Sequence, residues 1–293
     1  MKPAFAYYGG KTRLAPWIVG LLPPHEVYVE PFAGSAAVLF AKPPVRHEVL
    51  NDIDGQVINF YRLLRERPDE LEVACRLTPY ARDEHLAADF DEPGIDDLER
   101  ARRWWCRSTQ GFGQSATRAT GWSISTAQRT PRMSQITRRI ERFAEMAERL
   151  RHVFIESKPA LDIIDRFGTD ERACLYVDPP YLAEARTALN CYRHEMQTPD
   201  EHRALADALH GCRAAVVLSG YASPLYDDDL FIDWHRTERQ VVRRAGNGRT
   251  TRLANAVEVL WSNRPLEALG ALPLGDRALN DELVTHATGK AGR

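Results

Sequence analysis

Short apolar runs and stretches of helical periodicity follow one another along most of the chain. Runs rich in β-branched and aromatic residues stand at 27–29 (Val-Tyr-Val), 48–50, 153–155, 174–177 (Cys-Leu-Tyr-Val), 214–219 and 256–261, and they predict buried strands. Between them, 36–41 follows a Gly-Ser turn, and 54–67 carries Val57, Ile58, Phe60, Tyr61 and Leu64 at near-helical spacing. Both predict helices, as do 160–167 and 199–210. The order β-α-β at the start and its resumption after residue 152 predict an α/β fold with a mostly parallel sheet. In such a sheet the ligand crevice lies at the carboxyl ends of the strands.

One region departs from this rhythm. Residues 71–97 are acidic and broken by Pro79, Pro93 and Gly94, 98–106 reads as a helix, and 109–131 is rich in Gly, Ser, Thr, Gln and Arg without a period. Residues 136–150 read as one helix with Ile140, Phe143, Ala144, Ala147 and Leu150 on one face. We therefore expect a discontinuous α/β domain, 1–62 with 152–293, interrupted by a small, mainly helical insert at 63–151. The tail after about residue 265 shows no period and is expected to be loosely ordered.

Composition changes this picture little. Hydrophobic residues make up 44% and charged residues 27%, as in ordinary globular proteins. No apolar run approaches the roughly 20 residues that span a bilayer, and no apolar core follows Lys2 as a secretory signal would require. The five cysteines are scattered without a C-x-x-C pair, which points to reduced thiols and a cytoplasmic setting. The nine histidines form no cluster with cysteine, so no metal is expected.

Charge does change it. The formal total is −2, yet 63–99 holds 12 acidic and 4 basic side chains, whereas 100–151 holds 12 arginines against 3 glutamates. A second basic stretch, 236–252, has six arginines against Glu238. Local fields of this kind steer polyanions, although a solvated basic helix face has the same composition.

The chemistry concentrates in three motifs. The strand at 174–177 delivers Asp178-Pro179-Pro180-Tyr181 at its end. Two prolines stop a strand and stiffen the backbone beyond it, fixing a carboxylate, a free carbonyl and an aromatic ring close together. That set suits an exocyclic amine on a nucleobase: the carboxylate and carbonyl accept its two N–H bonds, and the ring stacks on an extruded base. Transfer to such an amine needs positioning and electrostatics more than a covalent intermediate or a metal. Glu30-Pro31-Phe32-Ala33-Gly34-Ser35 follows the first strand, and Asp52 ends the second, placed to accept hydrogen bonds from a ribose diol. Only Gly34 of a G-x-G-x-x-G fingerprint is present. Tyr7-Tyr8-Gly9-Gly10-Lys11-Thr12 lacks the first glycine of a phosphate loop, since Phe5 stands there, but it suits close approach to a zwitterionic ligand.

The insert carries Trp104-Trp105, for which a packing role is favoured, and Arg118, Arg129 and Arg132 among polar residues and glycines. These arginines are candidate DNA contacts. Asn247 and Arg249, in Asn247-Gly248-Arg249-Thr250, form a candidate tight turn beside DNA.

Together these motifs, in this order, resemble the DNA adenine methylase family, in the alpha group of N6-adenine DNA methyltransferases. The resemblance rests on Tyr8-Gly9-Gly10-Lys11, Glu30 to Ser35, Asn51-Asp52-Ile53-Asp54 and Asp178 to Tyr181, and it covers the chain to about Pro265. It implies a Rossmann-like S-adenosylmethionine-dependent methyltransferase fold, with the insert as target-recognition domain. It also implies double-stranded DNA as partner and S-adenosylmethionine as methyl donor. By the same resemblance Tyr7, Gly10, Lys11, Phe32 and Gly34 would line the cofactor site, and Asp52 would hold its adenosine moiety. Asp178 would lie between cofactor and target amine, Pro179 would offer its carbonyl, and Tyr181 would stack on the flipped adenine. Tyr7 stands where the best-known members carry tryptophan, and Gly34-Ser35-Ala36 replaces a glycine pair. Three rivals remain. One is N4 methylation of cytosine, usually paired with Ser-Pro-Pro-Tyr. The others are a nicotinamide-dependent oxidoreductase and a DNA-binding protein without catalysis.

Overall fold

The computed structural model describes residues 1–5, 7–111, 121–124, 132–182, 192–245 and 252–266. Among these, seven strands form one sheet. They are β1 (Val27–Glu30), β2 (His47–Asn51), β3 (Val153–Glu156), β4 (Ala173–Val177), β5 (Ala215–Tyr221), β6 (His235–Ala245) and β7 (Arg252–Ser262). Their order is β3-β2-β1-β4-β5-β7-β6. The first five are mutually parallel, and β7 runs antiparallel between β5 and β6. The order reverses between β1 and β4, so the chain leaves these two strands in opposite directions and opens a crevice at their carboxyl ends. The expected mostly parallel, Rossmann-like α/β fold is the fold found.

Side chains of a strand point alternately to its two faces, and that alternation separates two cores. Val27, Val29, Leu175, Val177, Val216 and Leu218 face one side, against α9 (Ala160–Gly168) and α10 (Pro199–His210). Tyr28, Cys174, Tyr176, Val217 and Leu260 face the other. There they meet α2 (Ala37–Ala41), α3 (Gly55–Glu66) and helices of the insert, among them α4 (Pro68–Leu77), α6 (Asp97–Gln110), α7 (Arg132–Ile140) and α8 (Phe143–Leu150). Trp104 and Trp105 are fully buried in this second core, where the Trp104 ring meets Phe5 edge-on at 4.7 Å.

Three local differences from the sequence-based expectation have physical causes. Residues 136–150 are two helices, broken at Arg142, which takes φ −106° and ψ 7°. No glycine or proline marks the break, and both helices keep their apolar faces on the same core. Strand β6 carries no apolar run that marks it in the sequence. Between Arg236 and Gln240 its residues are exposed or half-exposed and carry no apolar alternation, because β6 is an edge strand. Charges on such an edge discourage pairing with other chains. Finally, the acidic and basic stretches spend much of their charge on each other. Arg102 pairs with Glu84 and Glu99, Arg103 with Glu92 and Glu99, and Arg149 with the buried Glu48. Arg100 and Arg107 donate to backbone carbonyls of 86–95. These five arginines are internal cross-links rather than surplus charge on the surface.

Candidate active site

Four polar side chains continue one apolar face of the sheet past its carboxyl end. On β1, Glu30 follows Tyr28; after β4, Asp178 follows Tyr176; on β5, Ser219 follows Val217. On the antiparallel β7, Glu258 precedes Leu260 on the same face and pairs across from Tyr221. Period two thus gathers three acids and a hydroxyl at the end of strands whose lower parts are core.

The crevice between β1 and β4 is a cavity of about 340 Å³. Its wall includes the N-terminal residues Tyr7, Gly10 and Lys11, Phe32 and Gly34 of the first strand's loop, and Asp52 and Asp178 from the ends of their strands. Pro179 is buried and lies off this wall. Tyr181 lines a separate small recess with Tyr221, Gly220 and Tyr226, and its ring meets Tyr221 edge-on at 4.5 Å.

The glycine turn shapes the cavity directly. Gly34 has φ +46°, and a Cβ placed there would come 2.9 Å from the Tyr7 ring, so only a bare backbone admits that ring. Ala36, where a glycine pair was the expected pattern, also takes a left-handed conformation, at φ 51°. The turn keeps this geometry at a strain of about 1–2 kcal/mol. The Gly34 amide donates to Asp52 Oδ2 at 2.8 Å, and the Asp54 amide donates to Oδ1 at 2.9 Å. Burial pushes Asp52 up to about 6 even so. Each carboxylate oxygen keeps a second lone pair for a ligand hydroxyl.

Lys11 ties the N-terminal loop to the Asp178 motif. Its ammonium donates to Asp178 Oδ1 at 2.8 Å and to the Gly9 carbonyl at 2.9 Å, and it lies 3.4 Å from Glu258 Oε1. Burial alone would lower its pKa, but the two carboxylates outweigh burial and hold it charged. Burial pushes Asp178 the other way, up from the ordinary carboxylate range, against the pull of Lys11. The Tyr181 hydroxyl sits 3.0 Å from Asp178 Oδ1, 3.2 Å from Ser219 Oγ and in contact with Glu258 Oε1.

Glu30, also on the cavity wall, is 2% exposed, and burial raises its pKa from 4.5 to about 8. Its Oε1 accepts from the Tyr28 hydroxyl and the Leu39 amide, both at 2.7 Å. The folded chain thus holds the Glu30 proton between about pH 4.5 and 8 while the unfolded chain releases it. Linkage then makes stability fall as pH rises through this window. Glu30→Gln keeps the accepting oxygen and removes the ionisation. Its Tm is expected to match the parent at pH 5 and to exceed it by several degrees at pH 8.5, read by thermal unfolding across pH. A parent whose stability rises steadily between these values would refute the protonated assignment.

Of the expected DNA contacts, Arg118, Arg129, Asn247 and Arg249 lie outside the described residues. Arg132 donates to the carbonyls of Thr109 and Gly111 at 3.2 and 3.0 Å, closing the end of α6. Sequence reasoning gave Glu30 no role beyond its place in the motif, and it missed Glu258, Ser219 and Tyr192, whose hydroxyl donates to the Tyr8 carbonyl at 3.3 Å on the cavity wall. A lone glutamate inside the apolar run 256–261 was the available signal for Glu258. No cluster able to hold a metal ion is found among the described residues, and none of their helices is long and apolar enough to cross a membrane.

Comparison with known proteins gives three findings. The profile of the D12 class N6 adenine-specific DNA methyltransferases matches residues 7–244. A stretch of 72 residues, 24% of the chain, is 35% identical to a type II methyltransferase, M1.LlaDCHI, of Lactococcus lactis subsp. cremoris. Another of 102 residues, 33% of the chain, is 34% identical to a DNA N-6-adenine-methyltransferase of Escherichia phage P1. These matches span 25% and 13% of the relatives' own lengths. A solved structure of precorrin 8w decarboxylase from Methanobacterium thermoautotrophicum aligns over 90% of this chain and all of that one. With a TM-score of 0.39 and 9% identity, it carries no argument.

Proposed function

The chain belongs to the D12 class N6 adenine-specific DNA methyltransferase family, and from that premise we propose that it transfers a methyl group from S-adenosylmethionine to the N6 amine of an adenine flipped out of double-stranded DNA. The observation that carries this reading is the placement of Asp178 on the cavity wall at the β1–β4 switch point, ion-paired to Lys11.

The cavity fits the donor. Its volume lies within the range of about 300–1,000 Å³ usual for small-molecule sites, and the bare Gly34 backbone lets the Tyr7 ring pack close on its wall. Tyr7 and Phe32 offer aromatic surface, Asp52 offers acceptors for a ribose diol, and the Gly9-Gly10 turn beside Lys11 suits the amino-acid end. Bound there, S-adenosylmethionine supplies an electrophilic sulfonium methyl. The chain's own part is to ready the nucleophile. Asp178 and the Pro179 carbonyl accept the two N–H bonds of the target amine, which favours the pyramidal nitrogen with a free lone pair. Lys11 keeps Asp178 ionised against its burial. Tyr181 supplies the aromatic surface for the base. Family membership favours adenine over the amine of cytosine.

The direct test uses labelled S-adenosylmethionine with the purified protein and unmethylated DNA, followed by chromatography of the nucleosides. Label in N6-methyl-2′-deoxyadenosine is expected; label in N4-methyl-2′-deoxycytidine, or none, overturns the reading. Gly34→Ala is expected to raise the dissociation constant of the donor roughly 10- to 100-fold, because the new methyl displaces the Tyr7 ring and strains a left-handed residue. Calorimetric titration measures it, and unchanged affinity would remove Gly34 from the site.

A further inference from the structure

Glu258 calls for an explanation that the proposed reading does not supply. It is 2% exposed in a strand whose neighbours, Val257, Val259, Leu260 and Trp261, are apolar. A carboxylate buried there is costly unless paired. Its partners among the described residues belong to one cluster. Ser219 Oγ donates to Oε1 at 2.7 Å, the Tyr181 hydroxyl donates to the same atom, and the Lys11 ammonium lies 3.4 Å away. None of these partners needs Glu258 for folding alone: Ser219 and Tyr181 already lie within hydrogen-bond distance of each other, and Lys11 already has Asp178.

We infer that Glu258 is a positioning residue for methyl transfer, a buried anion that accepts the hydrogen bond of the Tyr181 hydroxyl and a share of Lys11, so that Asp178 stays available to the target amine. The hydroxyl of Tyr181 carries one proton and faces two carboxylates. Its contact with Glu258 is the shorter, 2.5 Å against 3.0 Å to Asp178. Ser219 donates to the same Glu258 oxygen at 2.7 Å and so helps to hold that carboxylate against the Tyr181 hydroxyl. Asp178 Oδ1 then accepts from Lys11, and Asp178 keeps acceptor capacity for an incoming amine. The same bond tethers the far end of the Tyr181 ring, with the Lys11 ammonium 4.9 Å from the ring centroid. Glu258 thereby fixes both the ring and the proton pattern without touching the cavity, whose wall it does not join.

Charge gives the inference a second readout. The groups facing Asp178 are Lys11 from the N-terminal loop, Tyr181 from its own motif, Tyr176 and Ser219 from β4 and β5, Glu30 from β1 and Glu258 from β7. Of these, Glu258 opposes ionisation of Asp178 and Lys11 promotes it. Removing the Glu258 charge therefore moves the acid limb of the transfer rate to lower pH even as the misplaced Tyr181 slows the reaction.

The inference rests on the proposed transfer to adenine, and the experiment separates the two. The substitution is Glu258→Gln, close in shape and uncharged, made in the full chain alongside the parent. Transfer to DNA is followed from pH 5 to 9, with the donor concentration varied at each pH. In parallel, both proteins are labelled with 3-fluorotyrosine, and the Tyr181 fluorine resonance is assigned by its loss in Tyr181→Phe. We expect kcat to fall roughly 10- to 100-fold, KM for S-adenosylmethionine to stay within about twofold, the acid limb to shift to lower pH, and the Tyr181 resonance to move. An unmoved resonance overturns the inference, as does an unchanged kcat or an equal loss of kcat and donor affinity with an unmoved acid limb. If the parent transfers no methyl group, the proposed reaction fails, and the fluorine resonance alone decides whether Glu258 orients Tyr181. Should Glu258→Gln fail to fold, Ser219→Ala removes one donor to the same carboxylate; it is expected to shift the Tyr181 resonance, and an unmoved signal overturns the inference.

Discussion

Asp178→Ala is expected to lower methyl transfer about 1,000-fold or more while leaving the chain folded and donor binding nearly intact. The magnitude comes from the role of the side chain: a preorganised acceptor acting where charge develops in the transition state is worth roughly 10²- to 10³-fold in rate. Here the amine also loses one of the two acceptors proposed to make it nucleophilic. Stability is spared because the substitution removes a buried carboxylate whose burial is only partly offset by Lys11. Lys11 keeps Glu258 as a nearby anion, so its charge is not stranded. Single-turnover transfer of labelled methyl groups, calorimetric titration of the donor and thermal unfolding measure the three parts. Transfer within tenfold of the parent would take Asp178 out of the reaction. A collapse of Tm with the activity would make it a folding residue instead.

Trp104→Ala is expected to cost about 3–5 kcal/mol of stability, the largest loss anticipated for one side chain in this protein. Trp104 is fully buried, and its ring lies 4.7 Å from that of Phe5 and 5.6 Å from that of Phe60. Its indole N–H finds no hydrogen-bond partner among the described residues, so the loss is one of packing and cavity formation. Because Phe5 precedes Tyr7 by two residues, the hole opens beneath the N-terminal loop of the cavity. Donor affinity is therefore expected to fall along with Tm. Denaturant unfolding monitored by circular dichroism gives the first and calorimetry the second. A loss below about 1 kcal/mol would mean that the core closes over the vacancy.

The sequence makes legible those elements that a period or a stiff stretch of chain writes into it. The end of strand β4 before Asp178 was legible because an apolar run soon meets Pro179 and Pro180, which cannot extend a ladder. The β1 turn was legible because Gly34 interrupts two strands at the right spacing for a β-α-β unit. The features that stayed hidden depend on partners far away in the chain. Glu258 meets Lys11 across 247 positions of sequence, and nothing near residue 258 predicts that contact. Arg102 and Arg103 read as a basic surface because their carboxylate partners at Glu84 and Glu92 are a separate stretch until the chain folds back. Strand β6 was silent because an edge strand with few covered side chains has no reason to alternate.

The second core holds one last consequence. The described residues between α3 and β3 share their hydrophobic centre with the sheet: Leu71, Cys75, Trp104, Ile140 and Met146 pack into the same cluster as Tyr28, Leu50 and Tyr176. An exchange of residues 63–151 between relatives would graft half a core onto a foreign half, and the mismatch would be felt before any DNA was met. Substitutions at the rim of this stretch leave the shared interior whole, and a wholesale exchange does not.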